Sequence, residues 1–243
     1  VFVPKISIIT VVYNDVAGIG RTIRSVMGQT YRNVEHIVVD GLSTDGTLAV
    51  IEGYRERISV LISEKDDGIY HAMNKGLAAA GGDYVLFLNS GDELYEAATL
   101  EKVFSGPGRA DIYYGGTKLM DETGRILGDR RHKTPKHFDW KSFRYGMNVC
   151  HQAIYVSRHI AGPYDTQYRL AADIDWVIRA AKKAQKTVNV DQYVAKYLVG
   201  GLSERRRWAS LKERYAIFRK HYGALPNLLN HLVIAARLLL RST

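Results

Sequence analysis

SEKDDGIYHAMNKGLAAAGGDYVLFLNSGDEL, residues 63–94, holds a helix, a strand and two polar turns within thirty-two positions. Ile69, Tyr70, Met73 and Leu77 recur at helical spacing, and Gly81-Gly82 closes that pattern. Tyr84 to Leu88 is a short apolar run suited to a buried strand. It passes directly into Asn89-Ser90-Gly91-Asp92. Those four residue types are good turn formers, so the ending alone does not separate a turn from a site.

The preceding residues repeat the same plan. Ile6 to Val12 is a β-branched run followed by Tyr13-Asn14-Asp15, and Ile19, Ile23, Val26 and Met27 mark a helix stopped by Gly28. Val34 to Val39 is a second strand, ending at Asp40, and Leu48, Ile51 and Tyr54 mark the next helix. Ile58 to Ile62 is a third strand, ending before Asp66-Asp67. The order βαβαβαβ with near-continuous apolar strands predicts an α/β fold whose mainly parallel sheet is covered on both faces. Ligands of such sheets bind beyond the carboxyl ends of the strands. All four ends here are polar, and four on one edge point to a site.

Two phosphate cradles are excluded. Gly18-Ile19-Gly20 is followed by Ile23 where a dinucleotide fingerprint needs Gly or Ala, and no Walker-type Gly-Lys-Ser/Thr occurs.

After Leu94 the pattern loosens. Asp111–Gly116 and Gln152–Val156 read as strands, and Gly128–Lys141 as a basic loop. A helix starts near Tyr168 with Leu170, Ile174, Val177, Ile178 and Ala181 on one stripe, and Val188–Tyr197 gives one or two strands. Gly200–Ser203 reads as a flexible turn. From Trp208 onward the chain is helical in two pieces, split by Gly223 and Pro226. The single cysteine, Cys150, excludes an internal disulfide and suits a reducing cytosol. Val1–Val12 reads as a strand and not as a secretory signal. Of the net charge of +9, residues 204–243 carry +7, with nine Lys or Arg against two Glu. A near-neutral body with a basic tail argues against a nucleic-acid-binding face.

SIITVVYND, HIVVDGLSTDGT, the opening stretch and RLAADIDWVIRA occur in an order that resembles the family 2 glycosyltransferases of the GT-A fold. Bacterial enzymes of colanic-acid or O-antigen type are the most similar, and the likeness covers roughly residues 5 to 205. It implies a nucleoside-diphosphate-sugar-binding half over 1–95, an acceptor-binding and catalytic half over 96–205, and a basic helical tail over 206–243. By position, Thr10, Val12, Tyr13, Asn14 and Asp40 would hold base and ribose. Asp66 would also face the nucleoside, followed by Asn74 and Lys75, and a UDP-sugar is the implied donor. Carboxylates accept hydrogen bonds from base N–H groups and ribose hydroxyls, and lysine offsets phosphate charge. Asp45-Gly46 and Asp67 read as a turn and a helix cap.

Asn89-Ser90-Gly91-Asp92 falls where the family carries its Asp-x-Asp metal motif, which implies Mg²⁺ or Mn²⁺ at the donor diphosphate with Asp92 as the charged ligand. Asn89 and Ser90 would then touch sugar or ribose. Asp173 matches the family's general base, which takes a proton from an acceptor hydroxyl in a single inverting displacement. Asp175, further towards the expected solvent side, reads as helix N-terminal charge. His151-Gln152 matches a His-Gln pair near the presumed acceptor cleft. Arg205-Arg206-Arg207-Trp208 resembles the Arg-Trp of processive synthases, but Glu204 departs from that motif and the run also reads as solvated.

The tail's Leu228, Leu229, Leu232, Val233, Ile234 and Leu238–Leu240 are broken by Asn230, His231 and Arg237, too interrupted for a spanning helix. The tail is expected to lie on the inner face of the plasma membrane, next to a glycan or lipid-linked saccharide acceptor, or to pack on the body or a second subunit. Two other readings stand beside the transferase. One is a silent sugar-nucleotide-binding subunit; the other is a sugar nucleotidyltransferase, which would carry a Gly-rich, Arg-containing loop in place of Val11–Asn14.

Overall fold

A computed structural model describes residues 3–106, 108–200 and 206–239. The expected turn at Gly201–Ser203, with Glu204 and Arg205 of the basic run, lies outside the described residues. Strand β1 (Ile6–Val12) lies between β2 (Val34–Asp40) and β4 (Tyr84–Phe87), and β3 (Val60–Ser63) flanks β2, all parallel. These strands form because their apolar runs are buried on both faces: β1 and β4 are buried throughout. Helices α1 (Ile19–Met27), α2 (Thr47–Glu52) and α3 (Ile69–Ala79) connect them. A Cβ added at Gly76 in α3 would fall 2.3 Å from Ile9 Cγ2, so glycine lets α3 pack closely on the sheet.

The second half extends the same sheet with mixed polarity. Its strands are β5 (Glu93–Leu94), β6 (Ile112–Met120), β7 (Ile126–Asp129), β8 (Ile154–Ser157) and β9 (Thr187–Leu198). The order is β3-β2-β1-β4-β8-β6-β9-β5, with β7 paired to β6. Sheet pairing carries β6 four residues past the expected end at Gly116. The basic segment expected as a loop begins inside β7. Residues 151–153 form a 3-10 turn where a strand was expected. The short α4 (Thr99–Phe104) was not anticipated.

Helix α5 (Ala172–Lys183) starts four residues later than its apolar stripe suggested. An aromatic stack fixes it: Trp176 lies 5.1 Å from Tyr164 and 5.3 Å from Phe87 of β4, and Tyr164 lies 5.4 Å from Tyr70 of α3. Each such pair contributes about 0.5–1.5 kcal/mol beyond area burial. The Trp176 indole N–H donates to the Gly162 carbonyl at 2.6 Å. The first residues of α5 are thereby held over the carboxyl end of β4.

Two helices follow, α6 (Arg207–Tyr222) and α7 (Ala224–Leu239). Ile217 and Phe218 of α6 belong to the main core, so the first tail helix is packed on the body. Of the expected alternatives for the tail, this first piece takes the one of packing on the body. The exposed apolar side chains Leu225, Leu228 and Leu229 belong to α7. Among the described residues no helix is long and apolar enough to cross a membrane.

Candidate active site

The carboxyl ends of β1 and β4, the start of α5 and residues of α6 enclose a cavity of about 830 Å³. That volume suits a small-molecule ligand. Val12, Tyr13, Asn14, Asn89, Ser90, Asp92, His151, Gln152 and Asp173 all line it. One edge of the sheet therefore brings together nine of the positions marked in the sequence.

The loops after β1 and β2 lock that edge. Asn14, at φ 51°, donates its N–H to Ser43 Oγ, and its side-chain carbonyl accepts from the Thr44 N–H. Asp15 accepts from the Gly18 N–H and from the Ser90 hydroxyl at 2.6 Å, tying the β1 end to the β4 end. Thr22 of α1 donates to the Asp92 carbonyl at 2.7 Å, which fixes the turn from below. Asp45 accepts from Thr47 and Val16 ahead of Gly46, which has φ 97°, as expected of a turn.

Five marked residues stand outside the cavity lining. Thr10 is fully buried and paired with His36 Nε2 at 2.9 Å. Burial without a counter-charge lowers the His36 pKa to about 4. Asp40 is also fully buried, and its carboxylate accepts from the Ser43 N–H and the Ser63 hydroxyl, a loop-fixing role. Asn74 clamps the backbone of Tyr164 through both ends of its amide. Lys75 donates to the Lys65 carbonyl and pairs with Glu64 at 2.9 Å, turned from the cavity. Asp66 accepts from the Gly68 N–H ahead of α3, the local bond that had been expected of Asp67. A Cβ at Gly41 would fall 2.6 Å from Asp66 Oδ2 and 3.3 Å from Tyr13 Cδ2. Glycine there lets the exposed Tyr13 ring and the Asp66 carboxylate close over the backbone, with no room for a side chain between them.

Asp173 is the best-placed carboxylate in the cavity. Its Oδ1 accepts from the Tyr70 hydroxyl at 3.2 Å, and its Oδ2 lies 3.4 Å from His151 Nδ1. Burial pushes the carboxyl up, but the bond and charge of His151 and the charge of Arg214 outweigh it and keep it below its ordinary value. The side chain remains 21% exposed to the cavity. The group is an ionised, oriented and reachable carboxylate. His151 Nε2 in turn lies 3.5 Å from the Asn89 amide, linking the Asp173 carboxylate to the β4 end.

Asp175 departs from its expected place. It has no exposed surface, because α6 covers the side of α5 that looked solvent-facing. Its carboxylate meets Arg179 Nε at 2.6 Å, His221 Nε2 at 2.8 Å and Lys220 Nζ at 3.0 Å. Glu213 of α6 was missed: it accepts from the backbone N–H groups of Arg169, Leu170 and Ala171 just before α5. Its only sequence signal was an acid in an otherwise basic tail. Asp175 and Glu213 thus make α6 the strap that holds Asp173 in position.

The Asp92 carboxylate does not provide for the expected divalent cation. It is nearly fully buried, and both oxygens already accept protein donors, Gln152 Nε2 at 2.8 Å and the Leu198 N–H at 2.9 Å. Burial raises its pKa to about 7. Gly91 has φ 90°, a left-handed conformation that an acidic side chain adopts only with strain, and a Cβ there would push on Leu198 Cδ2 at 2.6 Å. Among the described residues no group of three His, Cys, Asp or Glu can hold a metal. The buried Asn89 Oδ1, without a hydrogen-bond partner, is a single neutral donor atom. This donor set does not fit a resident Mg²⁺ or Mn²⁺.

Comparison with known proteins follows the same lines. Residues 7–155 match the family described as "Glycosyl transferase family 2". The chain is similar to an uncharacterised glycosyltransferase of Mycobacterium tuberculosis H37Rv, 37% identical over 186 residues, 73% of this chain and 69% of that one. A PGL/p-HBAD biosynthesis glycosyltransferase of the same strain is 34% identical over 211 residues, covering 82% and 79%. The putative teichuronic acid biosynthesis glycosyltransferase TuaG of Bacillus subtilis is 28% identical over 224 residues, covering 89% and 88%. Among solved structures, S. aureus TarS with UDP superposes with a TM-score of 0.68 at 19% identity, covering 96% of this chain and 70% of that one. The mannosyltransferase PcManGT of Pyrobaculum calidifontis, solved with GDP-Man and Mn²⁺, does so with 0.68 at 18%, with the same coverage. The fold is that of these glycosyltransferases.

Proposed function

The chain belongs to glycosyl transferase family 2 and is a transferase enzyme; from that premise we propose that it moves a sugar, with inversion, from a nucleoside-diphosphate sugar to a hydroxyl of a bacterial surface glycan or glycolipid. The observation that carries this reading is the placement of Asp173. An ionised carboxylate held by Tyr70 and His151 faces the polar end of β4 across one cavity.

In this reading the nucleobase lies against the exposed Tyr13 ring at the cavity rim with the Asp66 carboxylate beside it, an aromatic face and an acceptor suited to a flat ring bearing N–H groups. The locked Asn14–Ser43 and Asp15–Ser90 contacts set the ribose and sugar positions. Thr10, Asp40 and Asn74 act one layer behind, shaping the edge through His36, Ser63 and Tyr164. The acceptor hydroxyl approaches Asp173, which takes its proton as the oxygen attacks the anomeric carbon. The carbon–oxygen bond to the diphosphate breaks on the opposite side, and the configuration inverts. His151 donates to the carboxylate and orients it, and Gln152 holds Asp92 and the turn before it. Holding the reactants in this geometry and placing a base contribute separately to rate.

The names of the similar proteins support a donor such as a UDP- or GDP-sugar and an acceptor in surface glycan or glycolipid synthesis. The exposed apolar side chains of α7 support contact with a membrane surface bearing such an acceptor. The test is incubation with UDP-, GDP- and dTDP-sugars, following release of the nucleoside diphosphate. Slow hydrolysis of one donor is expected. Failure of every donor to be hydrolysed or transferred would instead support a silent binding subunit.

A further inference from the structure

Resting on the transferase reading, we infer that the donor's diphosphate is received by arginine side chains, chiefly Arg130 and Arg131, and binds without a divalent cation. The cavity that holds Asp173 is lined by Arg21, Arg130, Arg131, Arg169 and Arg214. Its acids are Asp15, Asp92, Asp173 and Glu122. Three of these already have protein partners: Asp15 takes Ser90 and Gly18, Asp92 takes Gln152 and Leu198, and Asp173 takes Tyr70 and His151. Arg21 donates to the Glu122 carbonyl and lies 3.6 Å from Glu93, whereas Arg130 and Arg131 are less committed. Arg130 reaches the Met147 carbonyl only at 3.5 Å, and Arg131 is exposed. Arg21 Nη1 and Arg214 Nε are buried N–H groups without a hydrogen-bond partner. Unpaired buried donors are costly, and an anionic ligand would satisfy them.

The second half of the argument is the turn after β4. A cation between the phosphates needs hard-oxygen ligands on the protein, and the one unpartnered oxygen of this turn is the neutral Asn89 Oδ1. The left-handed backbone at Gly91 disfavours an acid there, and Asp92 already accepts hydrogen bonds from Gln152 and Leu198. Guanidinium groups instead match phosphate oxygens bidentately and carry a permanent charge. They supply from the loop after β7 what the turn after β4 does not. The leaving diphosphate is then stabilised by fixed charges already present in the cavity.

Titration calorimetry of the EDTA-treated full chain tests this, with UDP, GDP and dTDP, their monophosphates, and each repeated with added Mn²⁺. One diphosphate should bind in EDTA with an affinity within about threefold of that with Mn²⁺. Arg130→Gln and Arg131→Gln should each weaken that diphosphate about tenfold or more, the scale of a lost charged hydrogen bond, and leave the monophosphate of the same base nearly unchanged. Arg131→Lys should recover part of the loss. Binding that requires Mn²⁺ would overturn the inference and leave the transferase reading standing. So would arginine variants that bind the diphosphate as tightly as the parent, which would assign these side chains to the acceptor. Failure of every nucleotide to bind in either condition would overturn both.

Discussion

Asp175→Asn removes one charge from the most enclosed ionic cluster among the described residues. The carboxylate has no exposed surface and is shared by Arg179, His221 and Lys220 at 2.6, 2.8 and 3.0 Å. Taking one partner from a buried ion pair costs about 3–5 kcal/mol. Lys220 and Arg179 keep 42% and 28% of their side chains in water, so they rehydrate when the carboxylate is gone. The cost therefore belongs at the lower end, about 3 kcal/mol, or a Tm lower by about 6–12 °C for a chain of this size. Acid provides an internal control. Burial pushes the Asp175 carboxyl up, but hydrogen bonds from His221, Arg179 and Lys220 more than reverse this and hold it far below the usual carboxylate range. A folded pKa below the unfolded value of about 3.9 stabilises fully above that value and less as pH falls towards the folded one. Calorimetric scans of parent and variant should show a constant Tm gap between about pH 7 and 5 that narrows below about pH 4. A gap under about 2 °C at neutral pH, or one that persists in acid, would refute the strap role of this cluster.

Glu213→Gln leaves one acceptor for the three N–H groups ahead of α5 and should cost about 1–2 kcal/mol. Because that segment carries Asp173, kcat should fall with the donor KM unchanged, read by steady-state nucleotide release. Gly91→Ala places a Cβ 2.6 Å from Leu198 Cδ2 at φ 90°, which should cost about 2 kcal/mol or more in denaturant unfolding.

The four apolar strands and their polar ends were legible because both signals are local: a buried parallel strand must be apolar, and its ligand edge must not be. Tyr13, Asn14, Asn89 and Asp92 converge for that reason, whereas His151 and Asp173, on other elements, were marked only by the family resemblance. Side-chain direction was not legible. Asn74, one turn after Tyr70 on the same face of α3, is taken up by the Tyr164 backbone, while Lys75 falls on another side of the helix and meets Glu64. Asp175 looked solvated because helical periodicity describes one helix and says nothing of α6, forty residues further on. Gly91 appeared in sequence as a missing acid. Its left-handed backbone and the packing of Leu198 show why an acid is disfavoured there.

The most direct measurement is release of nucleoside diphosphate by Asp173→Asn, set against its binding of the same nucleotide. Loss of a general base lowers kcat by about 10²–10⁴-fold, while nucleotide affinity and Tm stay close to the parent's. A variant that keeps kcat within about threefold of the parent would contradict the assignment of Asp173 as the base, since a placed base contributes far more than that.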